Sequence, residues 1–255
     1  VPIYHRLGEV PHKRHTQFRQ PDGSLYHEQL FGTIGFDGMA SLMYHVHPPT
    51  AVVKVGESID VSPRIAEAKN MRSRKLMGFG VSPQADFLKA RTPVLVNADV
   101  HISLAAPTTG TTHYFYKNSD ADELLFVHHG KGTLRSLFGQ ITFVPGDYLV
   151  IPRGVIYQID FDSTEGNRLL ITESFHPLYT PKRYRNHFGQ LQEHSPYCER
   201  DYKLPTSLET HRESGEFVIQ VKKQGTLTPY TYGHHPFDVV GWDGYHYPYG
   251  LSIHD

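Results

Sequence analysis

Cysteine is almost missing: Cys198 is the single thiol in 255 residues. That excludes an internal disulfide framework and any cysteine-built zinc site, and a lone thiol fits a reducing cytoplasm. Long apolar runs are missing too. None approaches the ~18 residues a membrane helix requires, so no membrane span is expected. An excess of one charge is also lacking, since 25 Lys and Arg face 26 Asp and Glu. Without a basic field or a basic stripe interleaved with aromatics, nucleic acid is not an expected partner. No internal repeat, coiled coil or low-complexity tract is present, and no signal peptide opens the chain. The first residue is Val1 rather than Met, so an upstream segment is an open expectation.

What the chain does have is turn-formers, aromatics and histidine. With 38% hydrophobic residues it can bury a sizeable core, and 22 Gly with 18 Pro favour many short strands over long helices. Residues 1 to about 30 read as an extended arm with turns, one of them at Pro21-Asp22-Gly23. Strand-like pieces follow at Ala40–His47 and Ala51–Val55, separated by Pro48-Pro49. Ala66–Leu76 has a helix-forming composition and is expected to form a short helix. From Pro93 onward the signal sharpens. Val94–Leu104, Glu123–His128, Thr133–Phe143, Asp147–Pro152, Val155–Phe161 and Arg168–Phe175 are rich in β-branched and aromatic residues and are punctuated by Gly or Pro. Six strands at near-regular spacing predict an antiparallel sandwich or barrel. A polar stretch follows, and the pair Glu216–Lys223 and Gly225–Tyr232 closes the readable pattern. Three segments are therefore expected: 1–92 as arm and flanking strands, 93–176 as a barrel, and 177–255 as an irregular segment with closing strands.

The middle segment carries the frame of a cupin jelly roll, an all-β architecture with two spaced motifs. The first is G-x5-H-x-H-x3,4-E-x6-G and the second is G-x5-P-x-G-x2-H-x3-N. Two His at i and i+2 on a strand share one face, and with a Glu and a third His they suit Fe(II) or Mn(II). Here Glu123 precedes Gly130 by the right interval, and Gly146, Pro152 and Gly154 keep the second spacing. The imidazoles do not survive. The two His slots fall on Tyr116 and Asn118, or on Lys117 and Ser119, and the last falls on Tyr157. One carboxylate and a phenol of pKa ~10 make a poor metal site at neutral pH. The barrel is therefore expected to hold no metal, with Glu123, Tyr157, Tyr116 and His113 as candidate interior residues. His113 would complete a site only by swinging in from upstream of its slot. Tyr114, Phe115, Tyr116 and Tyr157 could line a barrel mouth or simply pack.

Other histidines have bland readings. His128 and His129 are adjacent on a strand and point to opposite faces. His234 and His235 precede Pro236 in an expected loop. His45 and His47 are the best-spaced remaining pair. No acidic or third His partner stands at suitable spacing, so hydrogen-bonded packing is expected rather than a metal pair.

Several stretches resemble the amino-terminal domain of homogentisate 1,2-dioxygenases and their bacterial relatives. They include Leu7-Gly8, Lys13–Arg19 (KRHTQFR), Pro21–Tyr26 (PDGSLY), Ser41–His45 with Pro49-Thr50, and His101–Pro107 (HISLAAP). Phe115–Gly132 (FYKNSDADELLFVHHGKG), Ile151–Ile159 (IPRGVIYQI) and Phe237–Trp242 (FDVVGW) continue the series in order, from about residue 4 to 249. The resemblance implies a two-cupin enzyme that opens an aromatic ring with O2 at a non-haem Fe(II). The substrate would be homogentisate or a related dihydroxyphenyl acid, and the product maleylacetoacetate, in tyrosine and phenylalanine breakdown. It also implies a homo-oligomer. The family's iron, held by two His and one Glu, belongs to the second cupin, expected beyond Asp255, so no catalytic, cofactor or metal residue is assigned within this chain. Two alternatives stand beside it: a free-standing metal-free cupin that binds a small ligand or a protein, and a cupin using Glu123 and Tyr157 as acid and base.

Overall fold

The computed structural model describes residues 3–67, 70, 72–111 and 113–255. In chain order the strands are β1 (His5–Gly8), β2 (His27–Ile34), β3 (Asp37–His45), β4 (Val52–Val55), β5 (Ile59–Asp60), β6 (Arg91–Val96) and β7 (Val100–Ala105). Then come β8 (Phe115–Asn118), β9 (Asp122–His129), β10 (Gly132–Ser136), β11 (Gly139–Phe143), β12 (Asp147–Ile151), β13 (Ile156–Phe161) and β14 (Arg168–Ser174). The last are β15 (Tyr202–Lys203), β16 (Ser214–Lys223), β17 (Thr226–His234), β18 (Val239–Gly244) and β19 (Tyr249–Ser252).

Two sheets face each other as a jelly-roll sandwich of the cupin type. One runs β11-β10-β13-β8-β16-β17-β4 and the other β15-β19-β12-β9-β14-β7-β6, and β5 pairs with β17. From β8 to β14 the chain crosses between the two sheets at each step except the β10–β11 hairpin, which stays in one, as a jelly roll winds. The sheets remain an open sandwich rather than a closed barrel. Side chains alternate as a half-buried sheet requires: Glu123, Leu125 and Val127 of β9 face inward, as do Leu169, Ile171 and Glu173 of β14. Leu124, Phe126 and Leu170 lie on the other face and are more exposed.

The expected strands are present, with two corrections. Val94–Leu104 is not one strand but the hairpin β6–β7. The Asn97 side chain accepts the backbone N–H groups of Asp99 and Val100 at 2.8 and 2.7 Å, an Asx turn that reverses the chain. Thr133–Phe143 is likewise a hairpin, β10–β11. The Ser136 hydroxyl accepts the Phe138 N–H at its tip.

The helix expected over Ala66–Leu76 does not form at its described residues; Ala68, Lys69 and Met71 lie outside them. Ile65, just before it, and Leu76, at its end, are 80% and 55% exposed. A helix this short needs an apolar stripe packed against something, and the described residues of this segment offer none.

The turn glycines of the cupin frame do what the spacing asks. Gly146 and Gly154 take φ of 93° and 90°, a region that side chains with a Cβ rarely adopt. The Gly154 N–H donates to the Asn118 carbonyl at 2.7 Å, which ties the turn before β13 to the end of β8.

A third sheet, β1-β18-β3-β2, joins the two ends of the chain. Its central strand β18 is buried along its whole length. Trp242, fully buried, packs edge-on to Phe138 at 5.0 Å between ring centres and donates from Nε1 to the Phe138 carbonyl at 2.9 Å. Phe31 of β2 meets the same phenyl ring at 5.3 Å. The arm is thus held down by the tip of the β10–β11 hairpin. Strand pairing also runs across the expected divisions after residues 92 and 176, through β1 with β18, β8 with β16 and β12 with β19.

Candidate functional site

The inward faces of β6, β8, β9, β13 and β14 bring a set of charged and phenolic groups together. Glu123, fully buried, is the centre. Arg91, at the start of β6, places its Nη1 2.5 Å from Glu123 Oε1 and its Nη2 3.1 Å from the Tyr157 hydroxyl. Tyr157 in turn donates to Glu123 Oε2 at 2.6 Å. The guanidinium also lies over the rings of Phe87 and Tyr116, 4.6 and 5.1 Å from their centres. Asn118 bridges outward, giving its side-chain N–H to Glu123 at 3.3 Å and to Glu173 at 2.7 Å. Lys222 on β16 completes the series with a 2.5 Å ion pair to Glu173.

The charges in this network are set by their neighbours. Burial alone favours neutral forms. It pushes the Tyr157 and Tyr116 hydroxyls well above the usual phenol range, and the charge of Glu123 pushes them further. Burial also works against the Arg91 cation, but Glu123, together with Tyr157, Tyr116 and Glu173, more than offsets it and holds the guanidinium protonated. Glu173 is raised by burial, yet Lys222 and Arg91 bring it below the ordinary carboxylate range. Arg91 with Glu123, and Lys222 with Glu173, are two buried ion pairs.

A divalent metal does not fit this interior. The slots where a cupin would present imidazoles carry Tyr116, Asn118 and Tyr157, and both phenols stay protonated at neutral pH. The position against the one carboxylate of the motif is filled by a guanidinium, a permanent cation with five donors and no lone pair. A cleft of about 430 Å³ opens above this network, lined by Arg91, Tyr116, Glu173, Lys222, Leu88 and Leu227 among others.

The structure unites Glu123, Tyr157 and Tyr116 and leaves His113 out. His113 is exposed in the turn before β8, on the outside of the sandwich. Its imidazole is exposed, whereas Glu123 is fully buried. Arg91, Glu173 and Lys222 are the members that spacing did not reveal. They come from strands 32 residues before and 50 and 99 residues after Glu123, and nothing local marks which face an arginine at a strand start will take.

His45 and His47 meet a carboxylate after all, from Asp238 at the other end of the chain. His45 Nδ1 is 2.8 Å from Asp238 Oδ1, and its Nε2 is 2.9 Å from Gln29 Oε1. The His47 backbone N–H donates to Asp238 Oδ2 at 2.8 Å, and His47 Nδ1 lies 3.2 Å from the same oxygen. His234 is buried, stacked on His47 with ring centres 4.3 Å apart. His235 instead stacks on His211, and burial followed by the charge of His211 brings its pKa down to about 4. Burial raises the Asp238 carboxyl, but the hydrogen bond and charge of His45, with the His47 backbone N–H and His234, together hold it below its usual range.

Residues 20–253 match the family described as "Homogentisate 1,2-dioxygenase N-terminal". A Saccharolobus solfataricus protein carrying the name "Putative dioxygenase" is 42% identical over 99% of this chain. The chain spans 65% of that relative's length. Among solved structures, a cupin-2 domain protein from Shewanella frigidimarina is 21% identical, covering 38% of this chain and 87% of that one at a TM-score of 0.32. A cupin 2 conserved barrel domain protein from Leptotrichia buccalis is 13% identical, covering 80% of this chain and all of that one at a TM-score of 0.29.

Proposed function

This chain belongs to the family of homogentisate 1,2-dioxygenase amino-terminal domains, and from that premise we propose that it is the supporting half of a ring-cleaving dioxygenase. The whole protein would take homogentisate or a related dihydroxyphenyl acid with O2 to a maleylacetoacetate-type product, in tyrosine and phenylalanine breakdown. Its non-haem Fe(II) would be held by residues outside the 255 described by this sequence. Assembly as a cytoplasmic homo-oligomer belongs to the same proposal. Among the described residues no helix is long and apolar enough to cross a membrane.

The observation that carries the division of labour is the Arg91–Glu123 pair. In a metal-holding cupin that carboxylate faces a metal ion. Here a guanidinium supplies the positive charge, so the interior is neutralised permanently and its shape does not depend on metal loading. Tyr157 and Asn118 also donate to this carboxylate, so three of its roughly four acceptor sites are occupied and it is a poor base towards a substrate. The network stiffens the sandwich and chemistry is left to the other half.

The test uses the full-length protein with homogentisate and O2, following product absorbance and oxygen uptake. Glu123→Gln should leave iron content unchanged and lower turnover only in proportion to lost folded protein. Iron loss on that single change would put the metal in this half and overturn the proposal. A second reading, a metal-free module that binds a small anion, is favoured by the cleft bordered by Arg91 and Lys222. Both cations are already paired, which weakens it. Saturable binding of a simple carboxylate, lost in Lys222→Met, together with no homogentisate turnover by the full-length protein, would establish it.

A further inference from the structure

We propose that His47, His234 and Asp238 form a structural site for a divalent transition-metal ion of the zinc class, outside the sandwich interior. One donor atom from each of the three lies within 4.8 Å of the others. Two imidazole nitrogens and one carboxylate oxygen are a set that prefers Zn(II) and its first-row neighbours over Mg(II) or Ca(II), which favour all-oxygen shells.

Three features make this more than a cluster of polar side chains. The first is an orphan. His234 is buried, and its Nδ1 lies 3.1 Å from the His235 carbonyl. A carbonyl can only accept, so Nδ1 carries the proton and Nε2 carries the lone pair. That Nε2 is buried and has no hydrogen-bond partner. Leaving it bare costs on the order of 1–3 kcal/mol, and a bound cation removes the cost. Fixing a ring through its other nitrogen to a backbone carbonyl is also how metal-binding histidines are oriented.

The second is the carboxylate. Asp238 is 1% exposed and is held from both sides, with Oδ1 against His45 Nδ1 and Oδ2 on the His47 backbone N–H. His45 is itself fixed by Gln29. The chain Gln29–His45–Asp238 is an outer shell that aims Oδ2 at His47 Nδ1, 3.2 Å away; the protonated Nδ1 of His234 lies 3.8 Å from the same oxygen, and its Nε2 is the atom offered to the ion. Two ligands on one tetrahedral zinc stand about 3.3 Å apart for bonds near 2.0 Å. The Asp238–His47 pair already has that spacing.

The third is the surroundings. The cavity beside the cluster, bordered by His45, His234, Asp238 and Tyr232, holds only about 50 Å³. That admits a water molecule as a fourth ligand but not an aromatic ring, since a cavity that binds benzene is about 150 Å³. The ion would therefore be structural. It would clamp the chain just after β3 to the β17–β18 connection, and so tie the end-joining sheet to the sandwich.

The experiment compares the full-length protein with its His47→Ala variant after growth with zinc and exchange into metal-free buffer. His47 has 27% of its side chain exposed, so its loss leaves the fold and the His45–Asp238 bond in place. Elemental analysis should find one zinc equivalent per chain fewer in His47→Ala, and zinc affinity at least 100-fold weaker by titration. Replacing zinc by Co(II) should give visible d–d absorption in the wild type that His47→Ala loses and a His113→Ala control keeps. Equal zinc content and equal cobalt spectra in the wild type and a folded His47→Ala would overturn the proposal. If His234→Ala folds it should match His47→Ala, and zinc retained there would overturn it too. Because the readout is metal content, the result stands apart from whether the protein turns over homogentisate.

Discussion

Removing Arg91 tests the claim that a guanidinium holds the place a metal has in other cupins. Arg91→Met keeps the length and apolar stem of the side chain and deletes its charge. Glu123, with no exposed surface, would then face Tyr157 and Asn118 as an unpaired buried anion. Breaking one partner of a buried pair costs about 3–5 kcal/mol. Glu123→Gln, which strands the cation, should cost a similar amount, reduced by the nearby Glu173 charge that also stabilises Arg91. The double variant strands neither charge, and swapping a buried pair for neutral groups is often close to neutral. Its loss should be about 1–2 kcal/mol, far below the sum of the single losses. Urea unfolding followed by emission of the buried Trp242 gives the three free energies. Each single change should lower the thermal midpoint by about 6–20 °C, at roughly 2–4 °C per kcal/mol for a domain of this size. If the double variant loses the full sum, the two groups act independently and the charge-compensation argument fails.

Other expectations follow from the same structure. His246 is buried, stacked on Phe31, and burial followed by nearby positive charge brings its pKa to about 4. A base whose folded pKa is depressed binds its proton first in the unfolded chain. Stability should therefore fall as pH drops from about 6.5 towards 4, by about 3 kcal/mol from this group. His246→Phe should flatten that slope in urea titrations at several pH values, and an unchanged slope would show that other groups carry it. Gly154→Ala, at φ 90°, should lose about 1–2 kcal/mol from backbone strain; calorimetry showing no loss would mean the turn relaxes freely. Trp242→Ala should cost about 3–5 kcal/mol, the usual penalty for emptying a large aromatic site. A cost under 1 kcal/mol would mean the end-joining sheet contributes little to the fold.

The central jelly roll was legible because its information is local. Period-two alternation, the glycine spacing at Gly146 and Gly154, and Glu123 in its slot all lie within stretches a few residues long. The outer strands β1, β18 and β19 were not, because their pairing depends on partners up to about 240 residues away. Tyr116 and Tyr157 could be placed beside Glu123 from the motif alone. Arg91 could not, since a lone arginine at a strand start carries no sign of which face it will take. His45 and His47 were visible as a pair, but Asp238 sits in a stretch (FDVVGW) whose apolar residues suggest only packing.

The sheet that joins β1 to β18 also sets when the protein can finish folding. During synthesis β1, β2 and β3 emerge first, yet the strand that lies between β1 and β3 starts only at Val239, more than 190 residues after β3 ends at His45. Until then Met43 has no Trp242 opposite it, and one edge of β3 is an unpaired backbone. Loops this long make closure slow and leave sticky intermediates exposed. The nascent chain thus carries a period of vulnerability that ends only when Trp242 clears the ribosome, and cells short of chaperones should lose this protein to aggregation before they lose its compact neighbours.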